Sequence, residues 1–248
     1  MRKLIVGVAA ILLVLGIAYL TLFKRDAVMS LASQGKLAVQ GYTPAKTPDE
    51  ALDSFRRAIK ERNYEAAKLY LGGEYFGQFD KGAKNGQNLG VAIDNLSHTM
   101  ETTGTKSDKV KLVLRLLDPF PATLKVLKVE PAGDNRAYAI LTEESGSPLE
   151  IQGNFQDWTV NPLMFRSLFR SVPTDGRVEL RKEGDSANGQ WKIYLPVTPQ
   201  LRLCVDYLAE NGSNYVNAIN RVKEDLKNDA TTKESLENAL KKALEESK

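Results

Sequence analysis

The residues able to do chemistry are few. His98 is the only histidine and Cys204 the only cysteine in 248 residues. One of each cannot build a Cys/His zinc site, which takes about four N/S ligands. A lone cysteine makes no internal disulfide. Cys204 lies in the run Leu201-Arg202-Leu203-Cys204-Val205 and reads as a small buried hydrophobe. His98 stands between Ser97 and Thr99, off the apolar side of a predicted helix, and reads as an exposed histidine; a general base needs reach and a tuned pKa. Asp157 beside Trp158 is the sharper case, because a carboxylate against an indole in an apolar pocket holds its proton more tightly. Strand neighbours point to opposite faces, so only one of the two can face a cavity. Asp157 and His98 are therefore the two catalytic candidates. Tyr64, Tyr70, Tyr75, Phe76 and Phe79 crowd one stretch and read as core packing. Tyr64, Tyr75, Phe79 and Trp158 are the candidates for lining a cavity.

Several chemistries are argued against. No G-x-x-x-x-G-K-[ST] phosphate loop occurs around Gly72-Gly73 or Lys81 to Gly86. No G-x-S-x-G elbow occurs, and a serine triad finds no partner beyond His98. The 34 basic and 31 acidic residues nearly balance, which gives no electrostatic footprint for nucleic acid. No cofactor or metal is expected.

Leu4 to Phe23 is a run of 20 residues without a charge, flanked by Arg2-Lys3 and Lys24-Arg25. That length crosses a hydrocarbon core of about 30 Å as a helix. It exceeds the apolar core of a signal peptide. No small-x-small site closes it directly, and the candidate Ser30-Leu31-Ala32 lies well beyond the charged Lys24-Arg25-Asp26, so an uncleaved anchor is favoured over a cleaved leader. Two basic residues on each side barely orient it. The amine of Met1 tips the balance toward an inside N-terminus, with the soluble mass on the extracytoplasmic side, as in a bacterial envelope protein. No second run of spanning length follows.

The elements that must position these residues are predicted from capping, periodicity and turn composition. Residues 1–26 form the anchor and 27–46 a linker. Thr47-Pro48-Asp49-Glu50 opens a helix with a capping box, and Leu52, Phe55 and Ile59 make its apolar face. Asn63 caps a short helix that Gly72-Gly73 ends. Residues 80–88 (DKGAKNGQN) read as a loop. Leu89 to Met100 reads as a third helix, with Leu89, Ala92, Ile93, Leu96 and Met100 on one side. Lys109 to Leu117 is ambiguous: Val110, Leu112, Leu114 and Leu116 alternate like a strand, while Ser107-Asp108 and the break at Asp118-Pro119-Phe120-Pro121 favour a helix. Residues 122–142 read as a hairpin turning at Pro131 to Asn135, 149–160 as a strand, 163–169 as a short helix, and 177–195 as a second hairpin. Thr198-Pro199 opens a helix stopped by Asn211-Gly212, Ser213 caps another, and Thr231-Thr232 opens the last, with Leu236, Leu240 and Leu244 as its stripe.

Thr47-Pro48-Asp49-Glu50-Ala51, Phe55, Ala58-Ile59, Asn63-Tyr64-Glu65-Ala66-Ala67 and the late Gly189-Gln190-Trp191-Lys192-Ile193 resemble segments of the nuclear-transport-factor-two-like superfamily. The order of helices and then a meander extends the likeness over Thr47 to Leu195. The resemblance implies helices wrapped by a curved antiparallel sheet into a cone. The stretch between Phe79 and Leu117 is longer than that pattern needs, and the helices after Pro196 lie outside it. Members include isomerases, dehydratases and mating-surface modules, so the resemblance implies no single activity.

The expectation is an α+β chain: an N-terminal transmembrane helix, a cone-like domain over 47–196 and a helical extension over 197–248. Its expected role is non-enzymatic binding of a protein partner or a small apolar ligand beside the membrane. The alternative is a tethered isomerase- or dehydratase-like enzyme acting in the cone.

Overall fold

A computed structural model describes residues 35–118, 124–143, 177–184, 189–228 and 233–246. Contacts divide the chain into two units, Met1–Thr43 and Pro44–Lys248. In the first, residues 35–39 are helical. The N–H of Gly41 bonds to Ala38 and that of Tyr42 to Leu37, with Gly41 at φ 78°, a Schellman stop. The anchor proposed at Leu4 to Phe23 lies outside the described residues. Among the described residues no helix is long and apolar enough to cross a membrane.

The second unit is α+β. Helix α1, Pro48–Lys60, begins as its sequence dictates: Thr47 accepts from the N–H of Glu50 at 3.2 Å and Pro48 fills the first turn. Glu50 reaches back one residue further than a capping box does, accepting from the N–H of Lys46 at 2.7 Å. Ala51, Leu52, Phe55, Ala58 and Ile59 are its buried face. Asn63 caps α2, Tyr64–Ala67, at 3.1 Å, and a 3-10 turn follows over Lys68–Tyr70.

Helix α3 spans Gly73–Thr102 without a break. The loop expected at 80–88 is thus helical, and the helix expected at Leu89 to Met100 is its second half. Gly82, Gly86 and Gly90 recur every fourth residue and are buried inside the helix rather than turning the chain; a Cβ at Gly90 would meet Arg62, and one at Gly82 would lie 3.5 and 3.6 Å from Leu208 and Val205 of a neighbouring helix. That neighbour is α5, Pro199–Asn228, also 30 residues and also continuous. The stop expected at Asn211-Gly212 and the cap expected at Ser213 are absent for the same reason. Gly212 is buried, and a Cβ there would stand 2.8 Å from Asn85 Cβ. Asn85 Nδ2 uses the gap to donate to the carbonyls of Leu208 and Ala209, at 3.1 and 2.8 Å. Arg202 pairs with Glu74, and Lys81 with Asp206 at 2.5 Å. Partners advance together along both helices, so α3 and α5 run parallel.

Ser107 caps α4, Asp108–Leu117, at 3.2 Å, as its sequence indicates. Helix α6, Lys233–Glu245, buries Leu236, Leu240 and Leu244 completely. It lies against α4 and α5, with Glu237 accepting from the Ser107 hydroxyl at 2.7 Å.

The four strands form one antiparallel meander: β1 Leu124–Pro131, β2 Arg136–Glu143, β3 Arg177–Glu183 and β4 Gln190–Tyr194. Both expected hairpins are present. Ala137, Ala139, Val178, Leu180, Trp191 and Ile193 are buried on the sheet face toward the helices, where α1 lies against β1 and β4. The outer edge of β4 is covered, since Trp191 donates to the Ala45 carbonyl and Gly72 to that of Ile193, both at 3.0 Å. On β1 a bulge between Val126 and Lys128 leaves Leu127 exposed and interrupts the ladder. The strand and helix expected at 149–160 and 163–169 lie outside the described residues.

Candidate functional site

The cavity candidates fall in the helical layer. Tyr64, Tyr75 and Phe79 are buried, and the Tyr64 and Phe79 rings pack at 5.7 Å between centroids. Burial pushes the hydroxyls of Tyr64 and Tyr75 above the ordinary tyrosine pKa, helped at Tyr64 by the charge of Asp118. His98 is exposed on α3. Asp157 and Trp158 lie outside the described residues. Among the described residues no three His, Cys, Asp or Glu side chains converge as metal ligands would.

Two polar clusters escaped the sequence. The first centres on Arg62, in the turn between α1 and α2. Its Nε and Nη2 donate to Asp94 at 2.9 and 3.0 Å, and its Nη1 and Nη2 donate to both oxygens of Asp118 at 2.9 and 2.8 Å. Nη1 also reaches the Tyr64 hydroxyl at 3.4 Å. Burial alone disfavours the guanidinium charge. The hydrogen bonds to Asp94 and Asp118 and the charge of Asp118 outweigh it, so the pKa lies above the ordinary arginine value. Gly90 makes room, because a Cβ there would stand 2.9 Å from the guanidinium carbon. With its donors committed to two carboxylates, Arg62 ties the α1–α2 turn to α3 and to the end of α4. It is a fastening.

The second cluster covers the other face of the sheet. Alternation turns residues 136, 138, 177, 179, 181, 192 and 194 away from the buried face. Register gathers them into two rows: Tyr138–Glu179–Tyr194, and beside it Arg136–Arg181–Lys192. Residues directly opposite share a face, and like charges there repel. Glu179 lies between two arginines. Its Oε2 accepts from Arg181 Nη2 at 2.7 Å and its Oε1 stands 3.8 Å from Arg136 Nε. The Arg181 hydrogen bond holds the Glu179 carboxyl below the usual carboxylate range. The rings are covered by cations: Arg177 lies over Tyr138 at 4.1 Å and Arg181 over Tyr194 at 4.5 Å. Burial, with a hydrogen bond to Glu183, pushes the Tyr194 hydroxyl up to about 12. Lys192 leans away to donate to the Leu69 carbonyl, and burial lowers its ammonium below the ordinary lysine value.

This face holds guanidinium donors and aromatic rings, while the Glu179 carboxyl is shifted down and the Tyr194 hydroxyl up, each away from the range of a neutral-pH acid or base. It can recognise and orient. The signal was present in the sequence as i,i+2 spacings, Arg136-x-Tyr138, Arg177-x-Glu179-x-Arg181 and Lys192-x-Tyr194, but only strand register makes them neighbours. Comparison of the chain with protein-family models, with curated proteins and with solved structures finds no match.

Proposed function

We propose that the chain is a membrane-tethered, non-enzymatic binding domain of the nuclear-transport-factor-two-like kind, held at the extracytoplasmic side of a bacterial membrane by Leu4 to Phe23. The outer face of its sheet is the contact surface. The observation that carries this reading is the arginine–tyrosine array over Glu179, whose groups are fixed in charge and suited to recognition. The uncharged run of 20 residues supports the tether. Arg62, hydrogen-bonded to two aspartates, serves the fold rather than the contact surface.

Cell fractionation tests the tether. The full chain is expected in membranes after alkaline carbonate washing, and deletion of Leu4 to Phe23 is expected to release it as a soluble, folded domain. In intact cells with a permeabilised outer layer, added protease should digest the domain. A full chain found in the soluble fraction, or a domain protected from protease until the inner membrane is opened, overturns the tether or its orientation.

A further inference from the structure

We propose that the Arg136–Arg181 pair with Glu179 binds a phosphate group that carries one proton. The inference deepens the reading of the outer sheet face as the contact surface and rests on it. Arg136 and Arg181 are directly opposite on β2 and β3, a placement that repels unless an anion lies between or over the pair. One carboxylate serves both. Glu179 takes a single hydrogen bond from Arg181, while Arg136 approaches it only at ion-pair distance. Two atoms are left buried without a hydrogen bond, and they differ in kind: Arg181 Nε is a donor and Glu179 Oε1 an acceptor. A bare oxyanion would satisfy the donor and be repelled by the acceptor. A hydrogen phosphate, or a singly protonated phosphomonoester, satisfies both. Its oxygens accept from Arg181 Nε and from Arg136, and its P–O–H donates to Glu179 Oε1. The Arg181 side chain is 44% exposed, so its guanidinium borders solvent beside the buried Nε. Tyr138 and Tyr194 stand on either side of Glu179 in register, each ring lying under an arginine guanidinium.

The proton separates phosphate from sulfate, which has the same shape and no proton near neutral pH. Thermal unfolding of the full chain in a non-ionic detergent is followed with phosphate, sulfate or chloride at matched ionic strength. A ligand that binds only the folded state raises the midpoint by mass action, so the concentration dependence yields an affinity. Phosphate is expected to give a saturable rise at least about tenfold tighter than sulfate. Arg136→Gln and Arg181→Gln should each weaken it by about tenfold or more. Glu179→Gln should raise sulfate to the level of phosphate, because an amide can donate where the carboxylate cannot. Phenyl phosphate binding more tightly than inorganic phosphate would identify a phosphoryl group on a larger molecule as the source; equal binding would identify free phosphate. Equal, non-saturating responses to phosphate and sulfate overturn the proposal, as does full retention of binding in Arg181→Gln. In that case Glu179 and Arg181 close on each other side-on. Membrane retention is measured separately, so this failure leaves the tethered-domain reading standing.

Discussion

Arg62 occupies a backbone conformation that favours glycine, φ 55°. It is the residue just past the end of α1, where the N–H of Arg62 bonds to Ile59 and that of Asn63 to Ala58. The left-handed turn costs roughly 1 kcal/mol in a non-glycine residue, and it aims the guanidinium at α3 and α4. The Asp118 side chain is 9% exposed and the Asp94 side chain 55%, so the two partners depend on Arg62 unequally. Arg62→Ala strands a buried carboxylate and is expected to destabilise by about 3–5 kcal/mol. Asp94→Asn is expected to cost under about 1 kcal/mol. Urea unfolding of both variants measures the contrast; equal effects would mean that Asp118 does not need its partner. Buried phenols set the alkaline limit. Tyr64, Tyr75, Tyr194 and Tyr215 all hold their protons above the ordinary tyrosine pKa, by burial first. Their contribution to stability is complete below pH 10 and is lost as pH rises through the folded values, because the unfolded chain gives up those protons first. Stability should fall steeply above pH 10, and Tyr75→Phe should reduce that slope by one proton, measured by denaturant unfolding between pH 9 and 12.

The glycines of α3 and α5 are distinguishable one at a time. Gly77 has nothing within 4 Å of an added Cβ, and at Gly82 the nearest atoms, on Leu208 and Val205, stand 3.5 and 3.6 Å away. Gly77→Ala and Gly82→Ala should each stabilise, by about 0.5–1 kcal/mol, through helix propensity. Gly212→Ala meets Asn85 Cβ at 2.8 Å and should destabilise, since two packed helices cannot part locally. Thermal midpoints of the three variants decide the matter; a stabilising Gly212→Ala would mean that the helices have room to spare. These glycines also explain what the sequence hid. The caps at Thr47 and Asn63 and the stripes of α1 and α6 were legible because each is a local pattern with a single structural meaning, whereas after Ser107 the alternation of Val110, Leu112, Leu114 and Leu116 competed with the cap. Residues 80–88 and 211–213 were not, because composition alone cannot separate a glycine that turns a chain from one that admits a neighbouring helix. What Gly90 and Gly212 admit, the Arg62 guanidinium and Asn85, lies far from each of them in the chain. The sheet site was opaque for a different reason: Arg136 and Arg181 become neighbours only through a register that no local pattern encodes.

At the scale of the whole unit, the sheet lies in sequence between two parallel helices. A chain leaving the end of α3 must travel back about 45 Å, the length of 30 helical residues, before α5 can start beside it. Helix α4 and strands β1 to β4 lie between the two in the chain. Removing everything after Pro196 therefore strips α3 of the surface that faces Gly82 and Asn85. The truncated chain is expected to lose its cooperative unfolding transition, read by near-ultraviolet circular dichroism; an unchanged midpoint would show that α5 and α6 are dispensable. The same arrangement has a consequence in time. The partners that join α3 to α5 are 123 to 128 residues apart in the chain. At roughly 5–20 residues per second of synthesis, the flank of α3 destined for α5 waits about 6 to 25 s for its mate to be made. During that interval a nascent chain presents the α3 face destined for α5 to the cell, and whatever shields it must let go once α5 has emerged.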